Sequence, residues 1–298
     1  MVSETSVTKR ASRKVMPCAH TVLIAASLSS ALLAPLALHA APNVTEPSAN
    51  PVIDRGYRQM YDLNFDEAHK TFAQWERDHP DDPIGPVSNA AAYLFAEFDR
   101  LNILHSEFFT DNSLFHRRPK VTPDPAVRQA FDLELEKSAK AAGEILQRAP
   151  EQADALFAKI LTLGLRADYV ALIERRDFDA LKVIKDSRAT AEKLLMLQPN
   201  YYDAYLAVGV ENYLFSLKSA PVRWFLQAGG AQTDREKGVE DLRLTAEKGR
   251  YLSPYARLLL AVAALRNKDI SRARDLLGGL AREFPHNRLY AQELARLN

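Results

Sequence analysis

Gly56-Tyr-Arg-Gln-Met-Tyr-Asp-Leu-Asn64-Phe-Asp-Glu-Ala68, continued by Phe72 and Pro80, returns in altered form near the far end of the chain as Ala261, Lys268-Asp-Ile-Ser-Arg-Ala273, Leu277 and Pro285. In each passage a small residue is followed 12 positions on by a second small one, 4 later by a large apolar one, and 8 later by proline. Apolar side chains recur at helical spacing on both sides of a short polar turn, and the proline ends the second helix. The passages therefore predict the same helix–turn–helix unit twice. Such a unit cannot bury its apolar face alone, so further units must stack beside it.

The chain between them fits that expectation. It carries 11 glycines in 298 residues and no alternating Val/Ile/Thr-rich run, so helices are predicted throughout. The first unit spans about 52–79, with Asn64 and Asp66 expected to cap the second helix. Helices are then expected over 87–104 and 126–149. A third unit, 151–198, turns at Asp177-Phe-Asp179 and returns over Ala180–Leu197. A fourth opens at Asn200-Tyr-Tyr-Asp-Ala-Tyr205, is interrupted around Ser219-Ala-Pro221 and Gly229-Gly230, and resumes over 234–248. The last unit covers 254–284, and 286–297 forms a closing helix. Stop prolines at 80, 150, 199 and 285 are unevenly spaced, so the array is irregular.

The passages around Gly56/Ala68/Phe72/Pro80 and Ala261/Ala273/Leu277/Pro285, with Tyr205/Val208/Gly209 as a partial third, resemble the tetratricopeptide-repeat superfamily, here as an exported bacterial member. The stretch from Tyr213 through Gly238 and Leu242 is also faintly similar to bacterial relatives of mitochondrial outer-membrane tetratricopeptide-like proteins. The resemblance implies an all-α, right-handed α-solenoid of antiparallel helix hairpins over 51–298. It also implies a concave surface lined by the first helix of each hairpin. Carried onto this sequence, those positions are Ile53, Tyr57, Met60 and Tyr61; Leu206, Val210 and Tyr213; and Tyr255, Leu258, Val262 and Arg266. Trp75 departs from the pattern, which favours a small residue there, and predicts wider packing against the next hairpin.

The first 40 residues have the layout of a secretory signal. Lys9, Arg10, Arg13 and Lys14 precede an apolar stretch, Thr21–Leu38, and small residues at Ala40 and Ala41 mark the cleavage point. An uncleaved anchor is the competing reading, since the stretch reaches the lower length limit of a span; its serines and Pro35 argue against that. Residues 41–50 form a flexible leader. Cys18, the sole cysteine, lies before the apolar run, so no lipoprotein anchor is expected, and cleavage would leave a chain without a thiol. The expected compartment is the periplasm or the exterior, with peripheral contact to an envelope allowed for. Charge is balanced at 39 basic against 38 acidic residues, and no basic stripe points to nucleic acid.

No catalytic signature appears: there is no His-Glu-x-x-His, no Gly-x-Ser-x-Gly and no phosphate loop. The histidines are scattered singly, so neither a metal nor another cofactor is expected. Two irregular segments draw attention. Residues 106–125 hold Phe115, His116, Arg117 and Arg118; residues 220–230 hold Arg223 and Trp224. Long irregular loops in compact domains are often functional, although aromatic residues in such segments also fill gaps between hairpins.

These features lead to a non-catalytic protein that binds a peptide or protein partner on its concave face within a periplasmic or envelope assembly. The partner-binding set is Tyr57, Tyr61, Phe115, His116, Arg117, Arg118, Tyr213, Arg223, Trp224 and Tyr255. A second class is a carrier of a lipid or other apolar small molecule, suggested by the aromatic, charge-poor inner face. A third is an enzyme with its site on the irregular loops.

Overall fold

The computed structural model describes residues 50–104, 121–217, 224, 227, 228, 230 and 232–297. The stretch read as a signal sequence, nearly all of the expected leader, and Phe115, His116, Arg117, Arg118 and Arg223 lie outside the described residues. The described residues contain eleven α-helices and no strand. They are α1 (Pro51–Tyr61), α2 (Phe65–Asp78), α3 (Ile84–Arg100), α4 (Pro125–Arg148), α5 (Ala153–Asp168), α6 (Asp177–Leu197), α7 (Tyr205–Ser216), α8 (Arg235–Lys248), α9 (Ser253–Arg266), α10 (Ile270–Glu283) and α11 (Arg288–Ala295). A π-turn, Tyr169–Ile173, extends α5, and a 3₁₀ turn, Tyr202–Ala204, leads into α7. Each helix packs against the next in order. No helix among the described residues is long and apolar enough to cross a membrane.

Local chemistry sets the helix starts. Asn50, Asp124, Asp234, Asp269 and Asn287 each accept a backbone N–H from the first turn that follows, satisfying donors that have no intrahelical partner. Asn64 does not do so. It is the N-cap residue of α2, but its amide donates to Asp62 at 3.3 Å. The turn is set instead by Leu63 at φ 61°, a left-handed residue that ends α1. Leu63 N–H bonds Met60 O and Asn64 N–H bonds Gln59 O, the reciprocal pair that closes a helix C-terminus. Lys268, at φ 61°, and Asp269 repeat both bonds to Leu265 and Ala264. The two passages singled out from sequence thus share a turn, down to the same unfavourable backbone at the same register. The third turn falls earlier than expected: Arg175 takes the left-handed conformation at φ 60°, and α6 begins at Asp177 rather than after it.

Small residues fall where helices touch most closely. A Cβ on Gly56 would lie 2.3 Å from the ring of Phe72, which is fully buried. Between α7 and α8 the approach is backbone to backbone, since a Cβ on Gly238 would meet Tyr213 N at 2.6 Å and one on Gly209 would meet Gly238 O at 3.0 Å. Trp75 does not widen the packing. Its indole donates to Asp82 at 2.8 Å and lies against Gly85, where a Cβ would be 3.0 Å from the ring. Glycine in α3 makes the room that a small residue in α2 would otherwise provide.

The succession also meets its own beginning. Arg250 forms a two-pronged ion pair with Asp54. Tyr251 stacks on Tyr57 at 5.0 Å, and Phe284 packs on Tyr61 at 5.7 Å. Asp62 accepts the backbone N–H of His286 at 3.0 Å and its ring nitrogen at 2.6 Å, while Asn287 donates to Tyr61 O at 2.7 Å. Arg58 pairs with Glu283 at 3.0 Å and Arg288 with Asp99 at 2.6 Å. The first helix is therefore joined through side chains to α10 and to the turns that precede α9 and α11, and the inner faces of the helices turn toward a common interior.

Candidate functional site

The described residues leave that interior unfilled. A cavity of about 500 Å³ is bounded by residues of α1, α3, α5, α6, α7, α8 and α9. Leu, Ile, Val, Ala, Met, Phe and Tyr make most of its wall; Asp168, Asp203 and Arg266 are the charged side chains among the described lining residues. Left sealed and dry, such a void would cost on the order of 10 kcal/mol at about 24 cal/mol per Å³, as much as the whole stability of a typical domain. An interior of that size is kept only if solvent or a guest can enter. Leu214 lies on the wall and is 39% exposed, which places a rim at the end of α7.

Of the eleven positions carried over as concave, ten lie on this wall: Tyr57, Met60, Tyr61, Leu206, Val210, Tyr213, Tyr255, Leu258, Val262 and Arg266. Ile53 is fully buried behind it. Four members of the sequence-predicted site, Tyr57, Tyr61, Tyr213 and Tyr255, are thereby gathered on one surface. Trp224 stands apart at 72% exposure. Leu104 and Leu217, the last described residues before 105–120 and 218–223, both belong to the wall.

Three features of the site escaped the sequence. The first is Gly164, inside α5. It lines the cavity, and a Cβ there would meet nothing within 4 Å. Glycine costs about 1 kcal/mol relative to alanine inside a helix, and no close approach explains it here; what it leaves is space. Its legible signal was a glycine within an otherwise apolar helix.

The second is Asp203, only 4% exposed. It accepts the backbone N–H groups of Arg250, Tyr251 and Leu252 at 2.9, 3.1 and 2.9 Å. Burial pushes its carboxyl up, and these three bonds pull it back. The carboxylate fixes the turn that carries Tyr251, whose ring packs against Tyr57 and Phe157. Asp203 is a buttress of the wall.

The third is Asp168, the last residue of α5. The surrounding apolar wall pushes its carboxyl, half-buried and facing the cavity, up to about 7, and among the described residues the hydroxyl of Tyr255, 3.3 Å away, is the group that lowers it. Nearby, the hydroxyl of Tyr61 is buried and has no hydrogen-bond partner, which normally costs about 1–3 kcal/mol. Asp168 and Tyr255 join α5 to α9 across 87 positions of sequence, so no local pattern marks them.

The described histidines are engaged structurally: His69 bonds Asn89 at 2.6 Å, His79 stacks on Trp75 at 3.6 Å, and His286 bonds Asp62. Among the described residues no three His, Cys, Asp or Glu side chains converge as metal ligands. No protein-family model and no curated protein matches the chain.

Proposed function

We propose that this protein carries an apolar or amphipathic small molecule inside a right-handed solenoid of antiparallel, tetratricopeptide-like hairpins whose two ends have been drawn together. Its first 40 residues direct export, it works in the periplasm or outside the cell as a non-catalytic carrier, and it needs no cofactor. The observation that carries this proposal is the cavity: about 500 Å³, walled by aliphatic and aromatic side chains, with one helix bearing an otherwise unexplained glycine on its inner face. Sites for small ligands generally occupy about 300–1,000 Å³ and combine apolar walls with a few polar groups. A chain of about ten methylenes buried there would gain roughly 8 kcal/mol before the costs of association.

A folded partner gains little from the concave positions, because Tyr57, Met60, Tyr61 and Tyr213 are each less than 5% exposed. A protein partner remains a second proposal for the outer surface alone, favoured by the exposed indole of Trp224. Photo-crosslinking from that position in intact cells tests it, and recovery of no partner counts against it.

Gly164→Phe tests the carrier proposal directly. The new ring enters open space, so the fold is retained and the thermal midpoint holds or rises, while binding of a fluorescent apolar probe is lost. Native mass spectrometry of the chain purified without detergent is the companion measurement, with a co-purifying lipid-sized mass expected on the wild type and absent from the variant. Undiminished probe binding by Gly164→Phe would place the ligand elsewhere and sink the proposal.

A further inference from the structure

We infer that Asp168 and Tyr255 form a polar anchor inside the cavity, suited to a ligand whose end presents a hydrogen-bond donor, an amine or a hydroxyl, and unsuited to a carboxylate or phosphate head at that point. The inference rests on the cavity being a ligand site and adds the chemistry of the head group. Both side chains lie on the cavity wall, and the phenol donates to Asp168 Oδ2 at 3.3 Å. A carboxylate offers about four acceptor positions, and this bond uses one. Asp203, the other acid on the wall, is saturated by three backbone donors; Asp168 is not.

Among the described residues no cation balances Asp168 either. Burial and Tyr255 are the influences on its carboxyl, and Tyr61, next to Tyr255, brings a phenol. An unbalanced acid in an apolar chamber is costly unless it is protonated or meets a donor. A guest carrying that donor would relieve the cost, and burial holds the carboxyl near 7, where it can serve either as partner of an amine or as acceptor for a hydroxyl. The guest's direction follows from α9. Arg266, the positive side chain on the wall, is 11 residues beyond Tyr255, roughly 16 Å at 1.5 Å per residue. Leu258, Leu259 and Val262 line the path between. A single-chain molecule anchored at Asp168 would lie along α9 with its far end toward Arg266.

The test compares dodecylamine, dodecanol and dodecanoate on the full chain, wild type and Asp168→Asn, by displacement of an apolar fluorophore. Removing the charge while keeping the shape should weaken the amine, the alcohol or both by at least about tenfold, the size of a lost hydrogen bond to a charged group. Dodecanoate should change by less than about twofold on the same scale. Loss with the amine alone assigns a cationic head; loss with both assigns any donor. Equal loss for all three probes, or no loss for amine and alcohol, overturns the anchor. Failure of every probe to bind the wild type overturns the carrier proposal as well, which separates the two. A second measurement needs no variant: calorimetry of dodecylamine binding to the wild type in two buffers near pH 7 should show proton release as Asp168 ionises against the amine. A release no greater than that with dodecanoate overturns the anchor.

Discussion

Helices adjacent in sequence and elements distant in sequence are held together by different balances of packing and polar contact. Between neighbours, glycine or alanine lets one helix press directly on the next, as Gly56 against Phe72 and Gly209 against Gly238. Across long sequence separations the aromatic contacts of Tyr57 with Tyr251 and Tyr61 with Phe284 are accompanied by a set of polar side-chain joins: Asp54 with Arg250, Asp62 with His286, Asp99 with Arg288, Asp168 with Tyr255. Close packing is set by shape and resists any change of volume. Charged and hydrogen-bonded joins respond to pH, salt and competing donors. The array therefore has stiff walls and a closure whose polar part depends on solution conditions, and the cavity lies between the two.

The largest expected effect sharpens this contrast at Asp168. Its folded carboxyl is raised to about 7, above the usual carboxylate range. Its contribution to stability is thus fully present below about pH 4, the unfolded value, and is lost as pH rises through about 7. The difference amounts to at most about 4 kcal/mol. Asp168→Asn should match the ligand-free wild type in acid and exceed it by up to that amount above neutrality, measured by urea unfolding across pH. Parallel pH profiles would show that the chamber does not strain the acid.

Next comes Gly238→Ala. Its methyl meets the α7 backbone at Tyr213 N and Gly209 O, so the two helices must separate, at a cost of about 1–3 kcal/mol. A neutral result in a thermal melt would break the distinction between stiff walls and soft closure. Arg250→Ala removes a two-pronged, partly buried pair that joins the array to α1. A loss of about 1–2 kcal/mol is expected, smaller in high salt; an unchanged loss at high salt would assign it to packing on Tyr251 instead. Arg58→Ala should be nearly silent, within about 0.5 kcal/mol, because Arg58 is itself mostly exposed and Glu283 keeps its pair with Arg257.

Which parts were legible follows from the range of the interactions. Gly56, Ala68 and Phe72 announce their contact because the partners lie within one unit, and helical periodicity encodes them. The left-handed Leu63 and Lys268 carried no such signal, since neither residue type favours that backbone; only the hydrogen bonds of the finished turn hold it there. Trp75 was read as an obstacle because its compensation, Gly85, sits in the next helix. The aromatic inner face was visible as a pattern of residues. That Tyr57, Tyr213 and Tyr255 share one chamber depends on contacts spanning most of the chain.

The sequence by itself determined that the chain is helical, where most helices begin and end, and which side of several helices is apolar. These follow from capping groups, prolines and periodicity, all local. Only the tertiary structure decided that the inner face bounds a chamber and that one carboxyl is stranded within it. Those outcomes depend on how small angles between successive helices add up around the array, and on side chains near its two ends meeting, which no short stretch of residues encodes.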